Sequence, residues 1–193
     1  MRILIANSKE WFHLEKAISN SHEIRFVNTK EELSLENLKD FNPDLVFFPH
    51  WHWIVPSEIH RTHQCILFHA APLPYGRGGS PIQNLILNGF KEAPVCALKM
   101  TEGLDSGPIY TKKKVSLEGS LHEIFVRVCK VINTMISDLI DFVPIPIEQK
   151  GDAFIFKRLN AKDNILPNEA SAKEIYDRIR MVDDISYPSA YIL

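Results

Sequence analysis

Two short segments of this 193-residue chain gather the residue types that can move protons and steady developing charge. The first is His69-Ala70-Ala71-Pro72-Leu73-Pro74-Tyr75-Gly76-Arg77-Gly78-Gly79-Ser80-Pro81, which holds three prolines and three glycines. Proline stiffens such a loop, and glycine lets its backbone come close to a ligand. Ser80 as cap and Pro81 at the first helical position then predict a helix whose free N–H groups point back toward the loop. An imidazole, a guanidinium and a helix start therefore converge on one crevice. Arg77 with Gly78 suits an anionic group such as a phosphate, or else Arg77 ties down its own loop. The second segment, Thr101-Glu102-Gly103-Leu104-Asp105-Ser106-Gly107-Pro108-Ile109, sets a carboxylate in a glycine-rich turn. Taken alone, Asp105-Ser106-Gly107 is an ordinary turn. His69 and Asp105 together are groups suited to proton transfer.

The elements that must position these residues follow from the apolar pattern. Met1 to Ala6 reads as a buried strand, and Asn7-Ser8 as cap chemistry for a helix through about Ser19. Ile24 to Val27 predicts a second strand, Glu31 to Asp40 a helix, Asp44 to Phe48 a third strand and Pro56 to His63 a further helix. Cys65-Ile66-Leu67-Phe68-His69 is a fourth apolar strand. Strands alternating with helices predict an α/β fold, a Rossmann-like, mostly parallel sheet covered on both faces. Ligands bind beyond the carboxyl ends of such strands, and His69 stands at one of those ends. Strand one runs into Asn7-Ser8-Lys9-Glu10 with no glycine, so a dinucleotide site is disfavoured. Val95 to Met100 and Ile109 to Leu117 predict two more strands, and Ser120-Leu121-His122-Glu123 is a capping box opening a helix to about Phe142. Residues 1–142 are expected to form the catalytic domain. Residues 143–193 are expected as an extension made of a proline-rich linker, a short hairpin around Gly151 and a helix from about Ser171 to Val182.

Composition narrows the classes further. The chain is 45% hydrophobic and 24% charged with a formal net charge of −2, which suits a globular protein and argues against bulk nucleic-acid binding. No apolar run approaches the roughly 18 residues of a membrane span, so a cytoplasmic protein with no membrane partner is expected. Cys65, Cys96 and Cys129 are odd in number and lie in apolar stretches, so neither a disulfide nor a metal role is expected of them. The pairs His50/His52 and His60/His63 lack the spacing and the joining carboxylate of a zinc site, and no metal is expected.

The run His69 to Pro81, followed 24 residues after Pro81 by Asp105-Ser106-Gly107-Pro108-Ile109, resembles the formyltransferase family. That family includes methionyl-tRNA, glycinamide-ribonucleotide and nucleotide-sugar formyltransferases and uses 10-formyltetrahydrofolate. The resemblance spans about residues 1 to 140. The ending Ile175-Tyr176-Asp177-Arg178-Ile179-Arg180-Met181 with Tyr187-Pro188-Ser189-Ala190 is similar to the sugar N-formyltransferases in particular. The resemblance implies transfer of formyl from 10-formyltetrahydrofolate to an amine, with His69 as acid–base and oxyanion-facing residue and Asp105 orienting it. It also implies a folate slot formed by Trp53, Ile54 and Val55 with Glu102, Gly103 and Leu104. The family's catalytic Asn, two residues before the His, is replaced here by Leu67, whose side chain makes no hydrogen bond. Asn84, one turn into the helix after Pro81, is the expected substitute donor. The implied acceptor is a nucleotide-linked amino sugar, with glycinamide ribonucleotide or methionyl-tRNA as alternatives and a homodimer as an allowed assembly. A reading of another class is a folate-binding relic or regulator that kept the fold and lost the Asn.

Overall fold

The computed structural model describes all 193 residues. In chain order the elements are β1 (Arg2–Asn7), α1 (Lys16–Ser21), β2 (Glu23–Val27), α2 (Leu35–Phe41), β3 (Leu45–His50), α3 (Ser57–Thr62) and β4 (Cys65–Ala70). They continue with β5 (Tyr75–Gly78), α4 (Pro81–Leu87), β6 (Glu92–Lys99), β7 (Ile109–Ser116), α5 (Leu121–Asp141), β8 (Phe154–Phe156) and α6 (Ala172–Arg180). Six strands form one sheet in the order β2-β1-β3-β4-β6-β7. The first four pair in parallel, whereas β6 and β7 run antiparallel, with His69 opposite Cys96. The fold is thus the expected mostly parallel α/β sheet.

Alternation along the strands decides which helices cover which face. Ile3, Ile5, Phe47 and Phe68 point to the side covered by α4 and α5, while Leu4, Val46 and Phe48 point to the side covered by α2 and α3. Helix α5 begins at the predicted capping box, Ser120 with Glu123, and buries Leu121, Ile124, Phe125, Val128, Ile132, Met135, Ile136 and Leu139 along one stripe. Each such side chain contributes roughly 1.5–3 kcal/mol by leaving water, so this helix anchors its face of the sheet.

Three local expectations are corrected. Residues Ser8 to Glu15 are not helical and α1 starts only at Lys16. Phe12 enters the core from this loop, and Asn7 and Ser8 turn to Lys9 and to His50 and His52 instead of capping a helix. No hairpin forms around Gly151. Instead β8 pairs in parallel with β5, Tyr75 opposite Phe154 and Gly78 opposite Phe156, so the motif loop is itself a strand held by the tail. A Cβ on Gly76, whose φ is +89°, would come within 2.7 Å of the Phe156 ring, so only glycine fits there. Ser80 stands at the start of α4 but its side chain does not cap it; Ser80 Oγ accepts the Leu159 N–H at 3.1 Å.

The tail packs as part of the molecule. Met181 and Val182 join the core under α5. Asp177, 6% exposed, accepts hydrogen bonds from Lys173 Nζ at 2.6 Å and Arg180 Nε at 2.7 Å. These two cations hold its carboxyl below the usual carboxylate range although burial opposes the shift. Arg180 also donates to the carbonyls of Leu117 and Gly119, tying α6 to the entry of α5.

Candidate active site

The carboxyl ends of β1, β3 and β4 open into a cavity of about 960 Å³. Its wall includes His69, Gly78 and Asp105, together with every predicted slot residue: Trp53, Ile54, Val55, Glu102, Gly103 and Leu104. His69 is 8% exposed at the end of β4, and its Nε2 donates to the Gly76 carbonyl at 2.7 Å. Asp105 Oδ2 stands 3.5 Å from His69 Nδ1 and accepts the Gly78 N–H at 2.8 Å. The two motif segments, distant in sequence, therefore meet through one carboxylate oxygen. Asp105 adopts the left-handed backbone with φ 46°, a conformation that Asp tolerates because its short side chain can bond locally. Gln149 Nε2 donates to the Asp105 and Gly107 carbonyls, so the turn carrying Asp105 is clamped from the linker as well.

The slot differs from ordinary core. Ile54 is 95% exposed and Leu104 62%, so two apolar side chains stand free at the cavity lip. Trp53 packs edge-on against Trp51, with ring centres 4.9 Å apart, and Trp51 Nε1 is buried without a partner. Glu102 pairs with Arg61 outside the slot.

Two predicted residues are corrected. Arg77 does not line the cavity: its Nε and Nη2 donate to Gln149 Oε1 at 3.1 and 2.7 Å, which braces the loop. Asn84 does not line it either. Its Nδ2 donates to the carbonyls of Gly79, Ser80 and Lys157, so no donor remains for an oxyanion. The neighbouring residue, Gln83, faces the cavity, because one step along a helix turns a side chain by about 100°. Leu67 does line the cavity, between Phe48 and Leu98 in the sheet.

The cavity is also lined by residues that sequence reasoning had not assigned to a site: Lys9, Trp11, Gln83, Arg158 and Tyr187. Trp11 stacks on Phe125 at 5.0 Å, Phe125 meets Tyr187 at 6.0 Å, and Lys9 Nζ lies 5.7 Å from the centre of the Tyr187 ring. Burial raises the Tyr187 phenol above its ordinary value, and the nearby Gln83 amide opposes that rise. His50 is pushed down to about 4, first by burial and then by the charges of Lys9, His52 and Arg158. His52 is lowered for the same reasons, burial first. Both imidazoles are thus neutral near pH 7, and the positive charge beside them comes from Lys9 and Arg158. No three His, Cys, Asp or Glu side chains come together as a metal site. The thiols of Cys65 and Cys96 are raised by burial to about 12 and about 11, as inert core groups are.

A mixed α/β sheet with a buried His–Asp pair over its strand ends and an apolar slot beside it defines a class of fold and site. The family model described as formyl transferase matches residues 2–123, and a second, described as methionyl-tRNA formyltransferase, C-terminal domain, matches residues 161–193. The chain belongs to the formyl transferase family. It is 33% identical over 153 residues to a methionyl-tRNA formyltransferase of Campylobacter lari, a match covering 77% of this chain and 50% of that protein. The chain spans about half the length of the curated relatives it matches. Among solved structures, methionyl-tRNA formyltransferase from Clostridium thermocellum is 38% identical with a TM-score of 0.92, covering 100% of this chain and 88% of that one. HypX from Aquifex aeolicus in complex with tetrahydrofolic acid shares the fold at 16% identity and a TM-score of 0.81, covering 100% of this chain and 36% of that one. No helix is long and apolar enough to cross a membrane.

Proposed function

We propose that the protein transfers a formyl group from 10-formyltetrahydrofolate to the amino group of an acceptor. The observation that carries this is the His69–Asp105 pair, buried on the cavity wall and fixed through Gly78 N–H, with an apolar slot beside it. The slot suits a flat pterin. Ile54 and Leu104 offer apolar faces at the lip, the Glu102–Leu104 backbone supplies polar groups, and the unpartnered Trp51 Nε1 marks a polar demand that the protein itself does not meet. HypX, which shares the fold, accommodates tetrahydrofolic acid. In the reaction the amine nitrogen bonds to the formyl carbon, the bond from that carbon to the carrier nitrogen breaks, and one amine proton ends on the carrier nitrogen. In this reading His69 passes that proton, its Nε2 exchanging the Gly76 carbonyl for the reacting groups, and Asp105 orients the ring through Nδ1.

The acceptor we favour is a nucleotide-linked amino sugar. A net charge of −2 gives little general attraction for RNA, while Lys9 and Arg158 bring local positive charge to the wall where a phosphate of a small acceptor could rest. Methionyl-tRNA is the second reading, supported by the names of the relatives and by the match of residues 161–193 to the C-terminal domain of methionyl-tRNA formyltransferases. The test is to offer labelled 10-formyltetrahydrofolate with nucleotide-linked amino sugars and with methionyl-tRNA. Label on a sugar supports the first acceptor and label on tRNA the second. Tetrahydrofolate binding without any transfer supports the relic reading.

A further inference from the structure

Position 67 carries leucine, so β4 brings no side-chain amide to the strand end, and Asn84 is committed to three carbonyls. Of all the residues on the cavity wall, Gln83 alone has a carboxamide side chain. It is 4% exposed; the Tyr187 hydroxyl lies near its amide, but no acceptor comes within hydrogen-bond distance of Nε2. Its neighbours at the start of α4 do not share that condition: Ser80, just before the helix, accepts from Leu159 N–H, and Asn84 donates to the Lys157 carbonyl. These two clamps hold the first turn of α4 against the tail and leave Gln83 between them, turned to the cavity beside Tyr187. A buried amide without a partner is rare in folded proteins and marks a group kept for something that is not always present.

We propose that Gln83, beside Tyr187 of the tail, is the acceptor-positioning residue of this site. The inference rests on the formyl-transfer reading and assigns the acceptor side of the cavity. A carboxamide offers an oxygen that accepts an amine N–H and an N–H₂ that donates to an oxygen beside the amine. Holding the amine by one N–H aims its lone pair at the formyl carbon, so the acceptor it fits is a primary amine with a hydroxyl, carbonyl or phosphate oxygen close by. Tyr187 sets the depth of this subsite, with its ring against Phe125 and under Lys9.

Gln83→Met keeps the length of the side chain and removes its hydrogen bonds. With labelled 10-formyltetrahydrofolate, and with methionyl-tRNA and a dTDP-linked amino sugar as probes, kcat/KM for the probe that the wild type formylates should fall about 10- to 100-fold. The tetrahydrofolate dissociation constant and the melting temperature should stay at wild-type values. Gln83→Glu, which retains an accepting oxygen, should recover part of the loss as pH rises, and Tyr187→Phe should raise acceptor KM with kcat nearly kept. Gln83→Met kinetics equal to wild type would overturn the inference and leave formyl transfer standing. So would a parallel loss of tetrahydrofolate affinity, which would place Gln83 in the carrier slot. If Gln83→Met fails to fold, the Tyr187→Phe measurement decides, and an unchanged acceptor KM overturns the inference. A wild type that binds tetrahydrofolate and formylates neither probe removes the reading beneath it, and the inference with it.

Discussion

Replacing Asp105 with Asn isolates what its charge contributes. The carboxylate stands 3.5 Å from His69 Nδ1, with the two side chains only 14% and 8% exposed. Unit charges about 4 Å apart attract by roughly 4 kcal/mol at the effective dielectric of about 20 that suits such sites. Asn has nearly the same shape, tolerates the left-handed backbone found at this position, and can still accept the Gly78 N–H, so the turn should persist. What disappears is the charge that steadies His69 while a proton passes through it; an amide dipole replaces only a part. A loss of about 3 kcal/mol lowers the single-turnover rate about 150-fold. Rapid-quench transfer of labelled formyl measures that rate, and the fluorescence of Trp51 and Trp53 at the slot measures carrier binding in the same variant. The dissociation constant of the carrier should change by less than about threefold, since the slot is untouched. A single-turnover rate within about threefold of wild type would refute this account of Asp105, as would a loss confined to carrier affinity.

Asn84→Ala should leave the chemistry nearly intact but cost about 2 kcal/mol of stability through its three lost hydrogen bonds, lowering the melting temperature by roughly 4–8 °C in a chain of this size. A hundredfold drop in turnover below the melting transition would count against that structural role. Arg180→Met removes the bonds to the Leu117 and Gly119 carbonyls and leaves the buried Asp177 with one cation, which should destabilise the protein by about 3 kcal/mol. Because Tyr187 lies just beyond, acceptor KM should rise more than the carrier dissociation constant in steady-state assays. His50 sets a pH dependence. Its folded value, near 4, lies below the ordinary 6.5, so the unfolded chain takes up the proton first and stability is lost as pH falls from 6.5 toward 4. Since His50 is only partly buried, the loss is at most about 3 kcal/mol, and urea titrations at pH 7.5 and 4.5 should show a smaller drop in His50→Gln than in wild type.

Much of the sheet was legible because its strands are buried on both faces and read as continuous apolar runs, Leu45 to Phe48 and Cys65 to Phe68 among them. Helix α5 was legible at its start, since Ser120 and Glu123 bond each other's backbone through contacts three residues apart. The pairing of His69 with Asp105 came from the two motifs, and the structure brings them to one oxygen. What sequence hid was set by distant partners. Tyr75 to Gly78 carries loop residues and becomes a strand only because β8 comes to lie beside it. Asn7 and Ser8 have the chemistry of a cap, but the neighbouring histidines and the burial of Phe12 won. Asn84 and Gln83 differ by a single helix step, and nothing local distinguishes the one that meets Lys157 from the one that meets the cavity.

The parallel pairing of β5 with β8 bears on the order in which a growing chain could become competent. When residues 1–142 have left the ribosome, the sheet, His69 and Asp105 are all present, yet the strand that supplies Gly76 O to His69 and Gly78 N–H to Asp105 still lacks its neighbour. Its glycines leave it free to wander until Phe156 seats against Gly76. Closing that contact spans some eighty residues of sequence, a non-local step that arrives late in folding. The His69–Asp105 pair is therefore latched only once the segment carrying β8 has packed against β5, so the loop around the pair is the last part of the site to become fixed.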